Sequence, residues 1–488
     1  MSFFIKVIEN FVSLRKNSEK MMKRLSRIAV LLLFGAIAAC APREQVLVIL
    51  STNDMHAHIE RFPRLATAVE RCRDTASVLL VDAGDRWTGN AYVDLVEGRR
   101  PVLELMHRLG YDLGTLGNHE FDVGQAVLES AVDGCGFPVI CANIRSGEGA
   151  LLKPFEPTRI LSRGGVTVGF VGVVTNYGPN GHPDGHDAIF EGLGFTDAVR
   201  TAAGYAPMKE RCDVLVALTH IGSEKDRELA DLAPEFDVVV GGHSHEQINE
   251  VRNGVLLTQT GKNLKHIGVT TIRMRKGRVE GISYRMIPLD NYDPDPEYQA
   301  LVDAYYADPE LQRPVGELSA PADKTGLAQL FAGSVRRAGD AEIGIYHRGG
   351  VRLDSLAGVV PIATVYDLDP FGSHVSTALM TPAQLRRMIV AKFNDTVNPG
   401  EAHCIDLFAT TPYTVVTDDR GEAVDVRFPE LEEGRAYCVA MGDYVFKNYR
   451  ELDSSEGRTL DVLVTDCLLE TLAEGIYTPD NRPRQRIE

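Results

Sequence analysis

Asp and His recur in this chain in five short blocks whose residue types suit divalent cations. They are Asp54-Met55-His56, Gly84-Asp85, Gly117-Asn118-His119-Glu120, Thr219-His220 and Gly242-His243-Ser244-His245. Carboxylate, imidazole and amide oxygen are the donors that Zn, Mn, Co and Fe share, so the set implies two divalent metal ions without naming the metal. Hydrolysis of a phosphate ester requires attack on an anion while an alkoxide leaves. Two cations about 3.5–4 Å apart can activate a water and clamp the phosphoryl oxygens. One carboxylate must bridge them, and Asp85 is the candidate. Asn118 offers a neutral amide oxygen. His243 and His245 stand two apart, so extended backbone would turn both to one side. His119 lies beside Asn118 and suits a group that contacts the phosphoryl or protonates the leaving oxygen. Asp122, three residues on, could orient it and raise its pKa.

Positioning these blocks needs rigid elements. Apolar runs precede most of them: 46–50, 77–81, 139–141, 166–174, 214–218, 238–240 and 255–258 read as strands. Amphipathic stretches at 62–73, 102–109, 124–132 and 223–232 read as helices between them. The alternation predicts α/β layering, with chemistry at the strand ends. A chain of 488 residues exceeds one core, so two domains are expected. The predicted organisation is a signal or lipoprotein segment over 1–40, a catalytic domain over 45–290, a linker over 291–314 and a smaller α/β domain over 315–488. Within the linker, 298–306 reads as helical. The second domain repeats the alternation at 327–338, 343–346, 376–380 and 382–393.

The net charge of -17 argues against nucleic-acid polymers as partners. The cysteines at 40, 72, 135, 141, 212, 404, 438 and 467 form no CxxC pair, so no zinc knuckle is indicated. Lys23, Arg24 and Arg27 precede an apolar run from Ile28 to Ala39, a basic n-region and an h-region of secretory length. Met21 and Met22 are alternative starts. The run ends Ile37-Ala38-Ala39-Cys40, which resembles a bacterial lipobox. A lipid on Cys40 would anchor the chain to a membrane of the bacterial cell envelope, facing the periplasm or the exterior. An ordinary signal peptide is the alternative.

In the second domain, Arg348-Gly349-Gly350-Val351-Arg352 follows a short strand. Its glycines permit close backbone approach, and Arg352 could pair with an anion. Phe371 and Tyr444, on separate loops, could sandwich a flat base. His58 reads either as a partner behind the metal ligands or as an exposed residue, His182 and His186 as polar-loop residues with contact to substrate or a metal as the alternative, and His266 as structural.

Taken together, the five blocks and Phe121-Asp122 resemble the metallophosphoesterase blocks of the bacterial 5'-nucleotidase family, which includes UDP-sugar hydrolases and 2',3'-cyclic-nucleotide phosphodiesterases. The resemblance implies a calcineurin-like β-sandwich flanked by helices and a 5'-nucleotidase-like C-terminal domain. It implies one metal held by Asp54, His56, Asp85 and His245, and another by Asp85, Asn118, His220 and His243. His119 and Asp122 match the catalytic dyad. Gly349, Gly350 and Arg352 look like the phosphate-side block, and Phe371 and Tyr444 like the stacking rings. His347 and Arg348 depart from that block, and Lys447-Asn448-Tyr449-Arg450 replaces a Gly-Gly-Asp-Gly run. The implied activity is an exported 5'-nucleotidase. Cyclic-nucleotide, UDP-sugar, other phosphoester or thiosulfo-ester hydrolysis is the alternative. A nucleotide-binding lipoprotein without turnover is the alternative of another class.

Overall fold

The computed structural model describes residues 21–22, 45–178, 180–185, 187–395, 403–449 and 457–488. The lipobox Cys40, His186 and Arg450 lie outside the described residues.

The strand Gln45–Thr52 shows why the first domain is layered. Successive strand residues point to opposite faces. Leu47 and Ile49 enter one core, Val48 and Leu50 another. A strand apolar on both faces must be covered on both. It lies in a six-stranded sheet ordered Arg278–Pro288, His266–Arg275, Gln45–Thr52, Ser77–Asp82, Leu113–Thr115, Val139–Ile140. A second six-stranded sheet runs Gln247–Arg252, Val255–Thr260, Val238–Val240, Val214–His220, Val166–Val174, Thr158–Arg163. Leu47, Ile49, Leu79, Val81, Phe170, Val216 and Leu218 fill the space between the sheets. Burying each such side chain contributes about 1.5–3 kcal/mol.

Helices Phe62–Arg73 and Arg100–Leu109 pack on the outer face of the first sheet. Ala198–Ala203 and Ser223–Leu232 pack on that of the second. The result is the expected β-sandwich flanked by helices. The antiparallel pair His266–Arg275 and Arg278–Pro288 was not predicted. Its outermost strand is largely solvent-facing, so no apolar run marks it.

Residues 291–314 are not a bare connector. Asp295 caps a helix, Pro296–Tyr305, by accepting from Glu297 N and Tyr298 N. Tyr298, Leu301, Tyr305 and Tyr306 pack against the first domain's core.

The second domain's five-stranded sheet runs Leu407–Ala409, Ile343–His347, Tyr437–Gly442, His374–Met380, Gly457–Leu463. Lys324–Ala338 and Val464–Ala473 cover one face, and Pro382–Phe393 the other. The seven described cysteines form no disulfide. Among the described residues no helix is long and apolar enough to cross a membrane.

Candidate metal centre

The five blocks meet at one end of the sandwich because each follows, or closes, a strand that runs parallel to at least one neighbour. Asp54 and His56 follow Gln45–Thr52, Asp85 follows Ser77–Asp82, Asn118 follows Leu113–Thr115, His220 ends Val214–His220, and His243 follows Val238–Val240. Backbone bonds tie the first two blocks together, from Asp54 N to Gly84 O and from His56 N to Asp85 O, each 3.0 Å. The glycines are required by contact. A Cβ on Gly117 would lie 2.1 Å from Asp85 Oδ1, and one on Gly242 would lie 2.7 Å from His220 Nδ1.

Two ligand clusters result. Asp54, His56, Asp85 and His245 bring ligand atoms within 4.8 Å of one another, as do Asp85, His220 and His243. Asp85 is common to both, as a bridging carboxylate must be. His56 Nε2 and His245 Nε2 stand 2.9 Å apart, and Asp54 Oδ1 lies 3.5 Å from His245 Nε2. Asn118 Oδ1 lies 2.9 Å from His243 Nδ1 and so joins the second cluster.

Three observations fit this donor set to cations. His220 Nε2 is fully buried without a hydrogen-bond partner, although Asp85 Oδ2 is 3.1 Å away. Asp54, His56, Asp85, His243 and His245 all hold left-handed φ, between 47° and 83°. Such backbone costs about 1–3 kcal/mol per residue and persists where function over-determines it. The electrostatics point the same way. Burial pushes Asp54 up to about 7. Asp85 is buried too, yet the charges of His220 and His119 hold it well below the carboxylate range. Burial opposes a charge on His220, but Asp85 and Asp54 raise it to about 10.

His119 sits beside the clusters, its backbone N donating to Asp85 Oδ1 at 2.9 Å. Its Nδ1 lies 2.7 Å from Asp122 Oδ2, which also accepts from Thr88 Oγ1 at 2.8 Å. Burial works against the imidazolium, but Asp122 and Asp85 win and raise its pKa above the ordinary value. Glu120 is structural: its buried carboxylate accepts from Asp85 N, Arg86 N and Gly117 N. Nothing in the sequence marked Thr88, and the same holds for Asp184, whose Oδ2 lies 3.7 Å from His243 Nε2.

The second domain closes the centre. Arg352 Nη2 reaches His56 Nδ1 at 3.1 Å, and the Arg352 guanidinium lies over the Phe371 ring at 5.7 Å. Phe371 in turn stacks on His119, centroids 5.7 Å apart. Asp367 of the second domain accepts from Ala91 N of the first at 2.7 Å. Tyr444 stacks on His347 at 5.0 Å. Gly349 and Gly350 form the turn that leads to Arg352, while the Arg348 side chain is exposed. Lys447 pairs with Asp443 at 2.9 Å. His58 pairs with Glu60 at the surface, and His182 stacks on Phe190.

Comparison with known proteins agrees with this architecture. Residues 47–247 match the family model of calcineurin-like phosphoesterases, and residues 304–453 match that of the 5'-nucleotidase C-terminal domain. Endonuclease YhcR of Bacillus subtilis is 28% identical over 468 residues, covering 83% of this chain and 37% of that protein. The 5'-nucleotidase of Vibrio cholerae is 25% identical, covering 70% of this chain and 76% of that protein. The structure of a 5'-nucleotidase precursor from Thermus thermophilus superposes with a TM-score of 0.79 at 21% identity, covering 91% of this chain and 99% of that one. That likeness concerns the fold. The chain spans less than half the length of the first curated relatives it matches.

Proposed function

We propose that this chain, which joins a calcineurin-like phosphoesterase domain to a 5'-nucleotidase C-terminal domain, is a two-metal hydrolase of small nucleotide-type phosphate esters. The activity that fits best is that of a 5'-nucleotidase, releasing phosphate from a nucleoside monophosphate. The observation that carries the reading is Asp85 shared by two ligand clusters, with an arginine of the second domain reaching into the first cluster. We further propose that Cys40 carries a lipid that holds the enzyme to the cell envelope.

Two bound ions would polarise the phosphoryl oxygens and lower the pKa of a water. Asp54, His56, Asp85 and His245 would hold one, and Asp85, Asn118, His220 and His243 the other. The remaining work falls to side chains. Arg352 lies where it can pair with phosphoryl oxygens, and its guanidinium fork suits them. His119, protonated through the influence of Asp122, stabilises the developing charge and delivers its proton to the departing ester oxygen. Asp122 holds the imidazole on Nδ1, leaving Nε2 for that transfer. Phe371 shields the dyad from water on one side and lies within reach of a substrate's flat group.

A substrate panel tests the reading. AMP, a 2',3'-cyclic nucleotide, a UDP-sugar, a simple phosphomonoester and single-stranded DNA are assayed for released phosphate or cleavage with added Mn²⁺, Zn²⁺ or Co²⁺. The expected leader is AMP, with activity lost in Asp85→Asn. Tight AMP binding with no turnover of any substrate would instead indicate a binding protein.

A further inference from the structure

One imidazole of the ligand clusters, that of His220, hands its outward nitrogen to a backbone carbonyl, Nδ1 lying 2.7 Å from Ala83 O. It then presents Nε2 inward. An acceptor on the outward nitrogen fixes the tautomer, sets the ring plane and strengthens the ring as a ligand.

His243 is turned the other way. Its Nδ1 faces Asn118 Oδ1 at 2.9 Å. Nδ1 thus stands beside Asn118 Oδ1 on the side of the ring where the two would hold an ion. The outward atom is therefore Nε2, and the group facing it is the carboxylate of Asp184, 3.7 Å away. His243 and Asp184 are only 16% and 21% exposed, so the charge acts through a poorly screened path.

The loop that follows Val166–Val174 brings Asp184 there. Gly178 N donates to His182 O at 3.1 Å and doubles the chain back. Asp184 packs over Gly178, where a Cβ would come within 3.3 Å of its Oδ1. The other charged side chains described in this loop are engaged elsewhere, His182 Nε2 with Asp187 at 2.9 Å.

We infer that Asp184 is a positioning residue for the second metal ion. Its carboxylate, 3.7 Å from Nε2, favours the proton on that nitrogen through its charge and so keeps Nδ1 free of a proton and aimed at the ion. The inference rests on the two-ion reading above. It assigns Asp184 no contact with substrate.

The test is metal binding by the full chain, measured calorimetrically with Zn²⁺ and by the visible spectrum of Co²⁺. The wild type, Asp184→Asn, Asp184→Ala and Asp184→Glu are compared. Loss of an outward acceptor typically weakens a metal site by about 10–100-fold. The expected result is that loss at one of two sites in Asp184→Asn and Asp184→Ala, with partial recovery in Asp184→Glu. The metal-free melting curves should stay unchanged. Two sites of wild-type affinity in Asp184→Asn and Asp184→Ala would overturn the role of Asp184 and leave the two-ion reading intact. Equal weakening of both sites, or a lower metal-free melting temperature, would make Asp184 merely structural. A wild type that binds fewer than two ions would overturn the two-ion reading itself.

Discussion

Replacing Asp122 by Asn tests the proposed acid most directly. The change keeps the shape of the side chain and its contact with Thr88 Oγ1, which lies 2.8 Å away, but removes the charge 2.7 Å from His119 Nδ1. That charge and that of Asp85 are what lift the His119 pKa against the effect of burial. Only 12% and 14% of the two side chains is exposed, so solvent screens the pair weakly. A hydrogen bond to a charged group contributes about 1.5–3 kcal/mol. If all of it is expressed in the transition state, kcat/KM falls by about 10- to 150-fold. The sign of the pH effect follows. The acid works while His119 is protonated, so the alkaline limb of kcat/KM reports its loss of a proton. Asp122→Asn lowers the His119 pKa, and the limb moves to lower pH. The assay is kcat/KM against pH for AMP at saturating Mn²⁺, with bound metal measured alongside. An alkaline limb that does not move, with full metal occupancy, would refute the coupling between Asp122 and His119.

Three further outcomes are expected. Arg352→Ala should raise KM for AMP about 10- to 150-fold, and Arg352→Lys should restore little because an ammonium lacks the guanidinium fork; an unchanged KM would remove Arg352 from the phosphate site. Chelation should lower the melting temperature, and each ion restored at about 100 times its Kd should return about 2.7 kcal/mol, read by calorimetry with Zn²⁺, Mn²⁺ or Co²⁺. Asp369 is buried, its Oδ2 has no hydrogen-bond partner, and burial pushes its pKa up to about 7. An acid raised on folding binds more protons folded than unfolded, so it costs stability as pH rises from about 4 to about 7. Asp369→Asn should therefore stabilise the chain at pH 8, by an amount on the order of a few kcal/mol, and much less at pH 4; equal melting shifts at both would exclude this origin.

Much of the first domain was legible because strand and helix periodicities are local. The strand at 46–50 and the helix at 62–73 followed from residue spacing, and the ligand types from the blocks themselves. The strand Arg278–Pro288 was not legible, since a solvent-facing strand carries no apolar run, and in the more buried His266–Arg275 glycine and threonines break up the apolar residues. The helix Pro296–Tyr305 was read as part of a linker, because its packing partners lie some two hundred residues away on Phe62–Arg73. The departures around His347 have a local counterpart in its stacking on Tyr444, which no spacing rule foretells.

By itself the sequence determined which atoms were available: five blocks of Asp, His and Asn, each placed where a strand runs out. It also carried the layering, because alternation of apolar residues is a property of neighbours along the chain. Tertiary structure alone decided which atoms share an ion and which stand behind them. Asp85 becomes common to two clusters, Glu120 becomes a backbone acceptor, Arg352 crosses from another domain, and Asp184 comes to face His243. These relations depend on distances of a few ångströms between residues remote in sequence. No local pattern encodes them, since they arise only when the sheets stack and the second domain docks.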